Sequence, residues 1–140
     1  MRILTRLVVV FVAFLVAPLA SGQDVVTTGP PPEIRALVDA FTGPVLGNSP
    51  ETWEAMTREQ CAPKFISKNP AAQRRKLYDT LHGAFAGGKR GRVMRRGPDE
   101  PLELQMIGSS GQPAGTIVLE ITSGNPPKIT NISVEKEPGK

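Results

Sequence analysis

The spacing of apolar residues changes after Gly88, and this change constrains the fold of the 140-residue chain more than any other feature. Upstream, apolar residues recur three or four positions apart, as at Ile34, Leu37, Val38 and Phe41, which is the spacing of an amphipathic helix. Downstream, apolar and polar residues alternate, which is the spacing of a half-buried strand. Helices followed by strands predict an α+β domain in which the helices cover one face of a sheet.

Three helices are predicted before Gly88. The first covers residues 33–41 and ends at Gly43. The second opens at Ser49-Pro50, where the serine can cap the free backbone N–H groups, and ends before Pro63. The third uses the same device at Asn69-Pro70 and runs to about Ala86. Its predicted buried stripe consists of Leu77, Tyr78, Leu81 and Phe85.

Four short strands are predicted after Gly88, separated by turn-forming segments at 109–111 and 123–127. The first strand covers residues 90–96. The apolar positions of the other three are Leu102, Leu104 and Met106; Ile117, Leu119 and Ile121; and Ile129, Ile132 and Val134. The uneven spacing in the last set predicts a β-bulge. Because the loops are short, consecutive strands are expected to pair as an antiparallel meander.

The N-terminal segment has the pattern of a signal peptide over residues 1–22. Arg2 and Arg6 precede an apolar stretch that includes Leu7 to Leu15, and small residues follow before Gln23. We therefore expect a periplasmic or secreted protein without a stable membrane span. Residues 23–32 are interpreted as a flexible, Pro-rich linker, 33–136 as a single domain and 137–140 as a frayed tail.

Several chemistries are disfavoured by composition. One cysteine, Cys61, and one histidine, His82, exclude a disulfide framework and an ordinary zinc site, so no metal or other cofactor is expected. Cys61 is predicted to be a buried residue at a helix end. The segment 83–90 approaches a phosphate-binding P-loop, but Arg90 replaces the hydroxyl residue, and a helix rather than a strand precedes it.

Charge is distributed unevenly along the chain. Residues 64–96 carry ten basic and one acidic side chains, whereas the flanking segments 23–63 and 97–140 are acidic. The densest cluster predicts a site for an anionic partner, such as an acidic polymer, an acidic protein surface or lipid headgroups: Lys89, Arg90, Arg92, Arg95 and Arg96.

Alternation along the strand predicts Arg90, Arg92 and Arg96 on one sheet face, with Lys89 and Arg95 on the other. Nucleic acid is not expected as the partner, because no aromatic residues interleave the arginines. Two alternatives remain open: an edge strand guarded by charge against aggregation, or arginines paired with the acidic helices.

The stretch from Trp53 to Gly88, which includes Glu59-Gln60-Cys61-Ala62-Pro63-Lys64-Phe65, together with Gly111-Gln112 and residues 129–132, resembles a family of exported bacterial domains. These are the cystatin-like, or nuclear-transport-factor-2-like, domains found in front of β-lactamase-like serine hydrolases. The resemblance implies a curved, cystatin-like sheet. It also implies a non-enzymatic binding or accessory module, with a serine hydrolase encoded nearby as a partner. It carries no catalytic residue. A separate hypothesis is a purely structural domain that forms a homodimer through the open face of the sheet.

An alternative interpretation is a small enzyme of the ketosteroid-isomerase type, in which the open end of a cone-shaped fold forms the pocket. That chemistry needs a carboxylate base and proton-donating partners in an apolar setting. Tyr78, Asp79 and His82 supply the residue types. However, Tyr78 and Asp79 point about 100° apart on a helix, so Asp79 is expected to face water while His82 borders the core.

Overall fold

A computed structural model describes residues 29–136 and contains four helices followed by four strands. The helices are α1 (Pro32–Leu46), α2 (Pro50–Gln60), α3 (Pro63–Lys68) and α4 (Ala71–Phe85). The strands are β1 (Lys89–Met94), β2 (Leu102–Ile107), β3 (Pro113–Ile121) and β4 (Ile129–Lys136). This arrangement confirms the predicted α+β class. The predicted signal peptide, most of the predicted linker and the predicted tail lie outside the described residues.

The four strands form one open antiparallel sheet in the order β1-β2-β3-β4. The predicted alternation places one face of the sheet against the helices. Leu102, Leu104 and Met106 of β2 are fully buried there, as are Ile117 and Leu119 of β3. The sheet therefore supplies one wall of the core, as in a cystatin-like layout.

The predicted bulge in the last strand is present at Thr130. Ile121 pairs with Ile129 and Glu120 pairs with Asn131, so Thr130 is the additional residue on β4. Ile129 and Ile132 are three residues apart, so regular alternation would place them on opposite faces of the sheet. The bulge turns both side chains inward, and both are buried.

The prediction that Gly43 ends the first helix is wrong. α1 continues through Gly43 and Pro44 to Leu46. The added turn buries Val45 completely in the core, and burial of that side chain outweighs the poor helix propensity of glycine and proline.

The predicted number of helices is also corrected from three to four, because residues 63–68 form the short helix α3 around the buried Phe65. Asn69 does not cap the following helix. Its side-chain amide donates to the Phe65 carbonyl at 2.9 Å and closes α3, whereas the cap residue of α4 is Pro70. The predicted Ser49 cap of α2 is confirmed, since Ser49 Oγ accepts from the Thr52 N–H at 3.4 Å.

The helices are joined to one another and to the sheet by buried contacts. The Trp53 ring, which is fully buried, lies 5.9 Å from Phe41 and 5.7 Å from Tyr78, measured between ring centroids. The backbone N–H of Ala62 donates to the Ile129 carbonyl at 2.7 Å, which attaches the α2–α3 junction to β4. β1 forms the edge of the sheet opposite β4 and lies beside α1.

Within residues 29–136, none of the helices combines the length and apolar character that crossing a membrane requires.

Candidate anion-binding site

Three arginines from two elements line a cleft of about 260 Å³ between α1 and β1, which we call the arginine cleft. Arg35 comes from α1, and Arg90 and Arg92 come from β1. The side chains of Pro30 and Val93 form part of its apolar wall. Two of the five predicted anion-binding residues are therefore brought together, with a third arginine that the sequence analysis did not single out.

A β-bulge in β1 determines how these arginines are displayed. Arg90 pairs with Met106 and Val93 pairs with Leu104, so two residues, Gly91 and Arg92, lie between them on β1 opposite a single residue of β2. Arg90 therefore lies on the helix-covered face and Arg92 on the open face. The prediction that they share a face is wrong, because the additional residue breaks the alternation. Both residues line the cleft, which lies at the β1 edge of the sheet.

Arg90 is held in place by a carboxylate from α1. Its Nη1 forms an ion pair with Asp39 Oδ1, and its side chain is about one-third exposed. Arg35 lies four residues before Asp39, hence on the same side of the helix. Neither Arg35 nor Arg92 forms an ion pair in the part of the chain that the structure describes. The spacing of Arg35 and Asp39 on α1 would place Arg35 beside the basic strand once the Asp39–Arg90 ion pair is known.

The other three predicted residues lie outside the arginine cleft. Lys89 is exposed at the start of β1. Arg95 Nε donates to the Glu100 carbonyl at 2.9 Å, and its Nη2 donates to the Pro98 carbonyl. Arg96, with 80% of its side chain exposed, lies 3.6 Å from Glu103, measured between Nη2 and Oε1. The five residues of the basic cluster therefore do not form one continuous site.

A larger cavity of about 610 Å³ adjoins the arginine cleft, and we call it the apolar cleft. Its apolar wall comprises Pro30, Pro31, Ile34, Val93, Met94 and Leu102. Among residues 29–136, Arg95 is the one charged residue that lines it. Because Pro30 and Val93 line both clefts, these residues form the partition between them.

The basic segment also contains a structural arginine. Arg74 is buried, and two of its nitrogens bond the Glu54 carboxylate at 3.3 and 2.9 Å while the third donates to the Asn69 carbonyl at 2.9 Å. Its own backbone carbonyl accepts from Trp53 Nε1 at 3.1 Å. Arg74 therefore joins α2 to α4 and is not available to a partner. No local pattern distinguishes it from its exposed neighbour Arg75.

Of the three residues of the enzymatic alternative, Tyr78 and His82 lie together, with stacked rings whose centroids are 5.4 Å apart. The Tyr78 hydroxyl accepts from the Ser49 N–H at 3.2 Å. His82 Nδ1 lies 3.1 Å from the Val45 carbonyl, which can only accept, so Nδ1 donates to the end of α1. Asp79 is 60% exposed and pairs with Arg75. None of the three lines the arginine cleft or the apolar cleft.

Cys61 is buried at the end of α2, as predicted, and belongs to the core. Burial raises the pKa of its thiol from 9.0 to about 12, against the smaller opposing effects of Arg74 and Lys128. A thiol with this pKa remains protonated at neutral pH and is a poor nucleophile. Over residues 29–136, no three His, Cys, Asp or Glu side chains are grouped so that they could hold a metal ion.

The raised pKa of Cys61 predicts a loss of stability in alkali. The folded-state value lies above the unfolded one, so the contribution is complete below pH 9 and is lost as the pH rises towards 12. Between those limits the free energy of unfolding should fall by up to about 1.4 kcal/mol per pH unit because of this group. Urea titrations at pH 8 to 11 give the free energy of unfolding at each pH. This free energy should decrease less steeply with pH for Cys61→Ala than for the unaltered protein. Equal slopes would contradict the assignment, since Cys61 is the one residue that differs between the two proteins.

Comparison of the chain with models of protein families, with curated proteins and with solved structures gives no match.

Proposed function

We propose that this protein is an exported, non-enzymatic binding or accessory module that recognises an anionic partner through the arginine cleft. The observation that supports the proposal is that Arg35, Arg90 and Arg92 line one cleft, and that among residues 29–136 only Arg90 of these three forms an ion pair, with Asp39. Export rests on the N-terminal pattern of the sequence. The resemblance to hydrolase-associated domains suggests a serine hydrolase encoded nearby, presenting an acidic surface, as the partner.

The geometry of the cleft suits carboxylate or phosphate groups. A guanidinium is planar and always charged, and it can donate two parallel hydrogen bonds to one such group. Arg90 is fixed by Asp39, so it contributes an oriented cation, while the half-open position at the sheet edge leaves Arg35 and Arg92 accessible. Attraction between exposed charges of this kind acts over about 30 Å at 0.01 M salt but only about 8 Å at 0.15 M.

Retention on immobilised polyaspartate tests the proposal. The unaltered protein is expected to bind at 0.01 M salt and to be released as the concentration approaches 0.15 M. The double substitution Arg35→Gln/Arg92→Gln removes two unpaired charges of the cleft and should weaken low-salt binding about tenfold. The urea midpoint should remain nearly unchanged, since both side chains are exposed.

A matched control removes the same charge elsewhere. Lys64 and Lys68 are exposed on α3, which contacts β4 at the opposite edge of the sheet. Lys64→Gln/Lys68→Gln should weaken retention less than about twofold if the cleft is the binding surface. Equal losses in the two double variants would show that retention reports net charge only, and the proposal would be rejected.

A further inference from the structure

The apolar cleft has the size and lining of a small-molecule site. Its volume of about 610 Å³ falls within the range of about 300–1,000 Å³ that is usual for ligand cavities, and its walls are mainly apolar. Such sites orient their ligands with a small number of polar groups. Here the charged group is Arg95, at the end of β1.

Arg95 is oriented by its loop but is not neutralised by it. The carbonyls of Glu100 and Pro98 accept from Nε and Nη2, which fixes the plane of the guanidinium without supplying a negative charge. Among residues 29–136, no carboxylate lies within ion-pair distance of Arg95. Glu33 lines the adjoining cavity of about 290 Å³ together with Arg95, yet forms no ion pair with it.

Oriented positive charge beside an apolar wall is complementary to a molecule with an anionic end and an apolar body. We infer that the apolar cleft binds a small monocarboxylate of the fatty-acid type, with its carboxylate on Arg95 and its chain against Ile34, Val93 and Met94. Removal of the methylene groups from water supplies affinity, while the charge supplies orientation. The inference does not rest on the arginine cleft, because its charge comes from Arg95, which does not line that cleft.

Titration of the full chain with decanoate, followed by NMR of the methyl groups, tests the inference. Decanoate is expected to bind saturably at one site and to shift the methyl resonances of Ile34, Val93 and Met94. Decyltrimethylammonium, which has the same chain and the opposite charge, should bind at least about tenfold more weakly. Equal affinity for the two probes, or shifts confined to other regions, would overturn the inference.

Variants at the rim separate binding from folding. Met94 lines the cleft and is 40% exposed, so Met94→Gln and Met94→Glu can be compared without disturbing the core. The glutamate variant should bind decanoate at least about threefold more weakly than the glutamine variant, because it adds a like charge beside the bound carboxylate. Equal affinities would contradict the placement of the carboxylate.

Removing the cation gives the complementary result. Arg95→Gln should weaken decanoate binding about tenfold while leaving decan-1-ol binding within about twofold. A variant in which both probes lose affinity equally would indicate a collapsed cleft and reject the role of the charge. If polyaspartate shifts the three methyl resonances and decanoate does not, the cleft binds an acidic peptide and the fatty-acid assignment is wrong.

Discussion

Replacement of Arg74 by methionine is expected to lower the free energy of unfolding by about 3 kcal/mol. The side chain is 9% exposed and bonds both oxygens of the Glu54 carboxylate as well as the Asn69 carbonyl. Methionine preserves much of the volume but leaves the carboxylate and the carbonyl without their donors. Removing one partner of a buried ion pair is costly for this reason, even where the complete pair contributes little.

Urea unfolding followed by Trp53 fluorescence measures this effect, because Trp53 is the single tryptophan and contacts Arg74 directly. Arg75→Met is the matched control: the same substitution one residue away removes an ion pair with Asp79 in which both side chains are about 60% exposed. The control should change the free energy of unfolding by less than about 1 kcal/mol.

The double variant Glu54→Leu/Arg74→Met should recover part of the loss, since no carboxylate then remains unpaired. If Arg74→Met and Arg75→Met are equally stable, the buried arginine does not join α2 to α4 as described.

Substitution of Gly88 by alanine is expected to destabilise the protein by about 3 kcal/mol or more. A Cβ atom built at Gly88 would lie 2.2 Å from the Ile107 carbonyl oxygen and 3.1 Å from the Phe85 carbonyl oxygen. Both contacts involve backbone, so no side-chain rotation can relieve them. Because Gly88 connects α4 to β1, the strand must shift away from β2 or the end of the helix must unwind.

Gly83→Ala provides the comparison within α4. A Cβ atom there has no neighbour within 4 Å, so alanine should stabilise the helix by about 0.5–1 kcal/mol. Thermal unfolding of the two variants should therefore give shifts of opposite sign. A Gly88→Ala variant as stable as the unaltered protein would refute the close approach of the Ile107 carbonyl of β2 to this junction.

The Gly88 junction also bears on the two clefts, because both are built against β1. A partial shift of this strand would separate Arg90 from Asp39, which joins β1 to α1 across the arginine cleft. The Gly88→Ala variant should therefore be used for stability measurements and not for tests of binding.

Much of the architecture was predictable from residue spacing alone. Alternation of apolar residues identified the buried side chains of β2 and β3, and the uneven spacing of Ile129 and Ile132 indicated the bulge that the register shows at Thr130. Ser49-Pro50 marked the start of α2 correctly. These features are local, since side-chain periodicity and the need to cap free N–H groups act within a few residues of the chain.

The remaining features depended on which elements lie side by side. The sequence predicted a helix end at Gly43, but α1 continues because Val45 packs in the core. Arg74 cannot be told from Arg75 by sequence, and its contact with Glu54 is what distinguishes it. The candidate site follows the same rule, because Arg35 meets the basic strand only where α1 crosses the edge of the sheet. Residue spacing determines which side of its own element a side chain occupies. The partner on that side is decided by packing between segments far apart in sequence, where burial and charge pairing outweigh local preference.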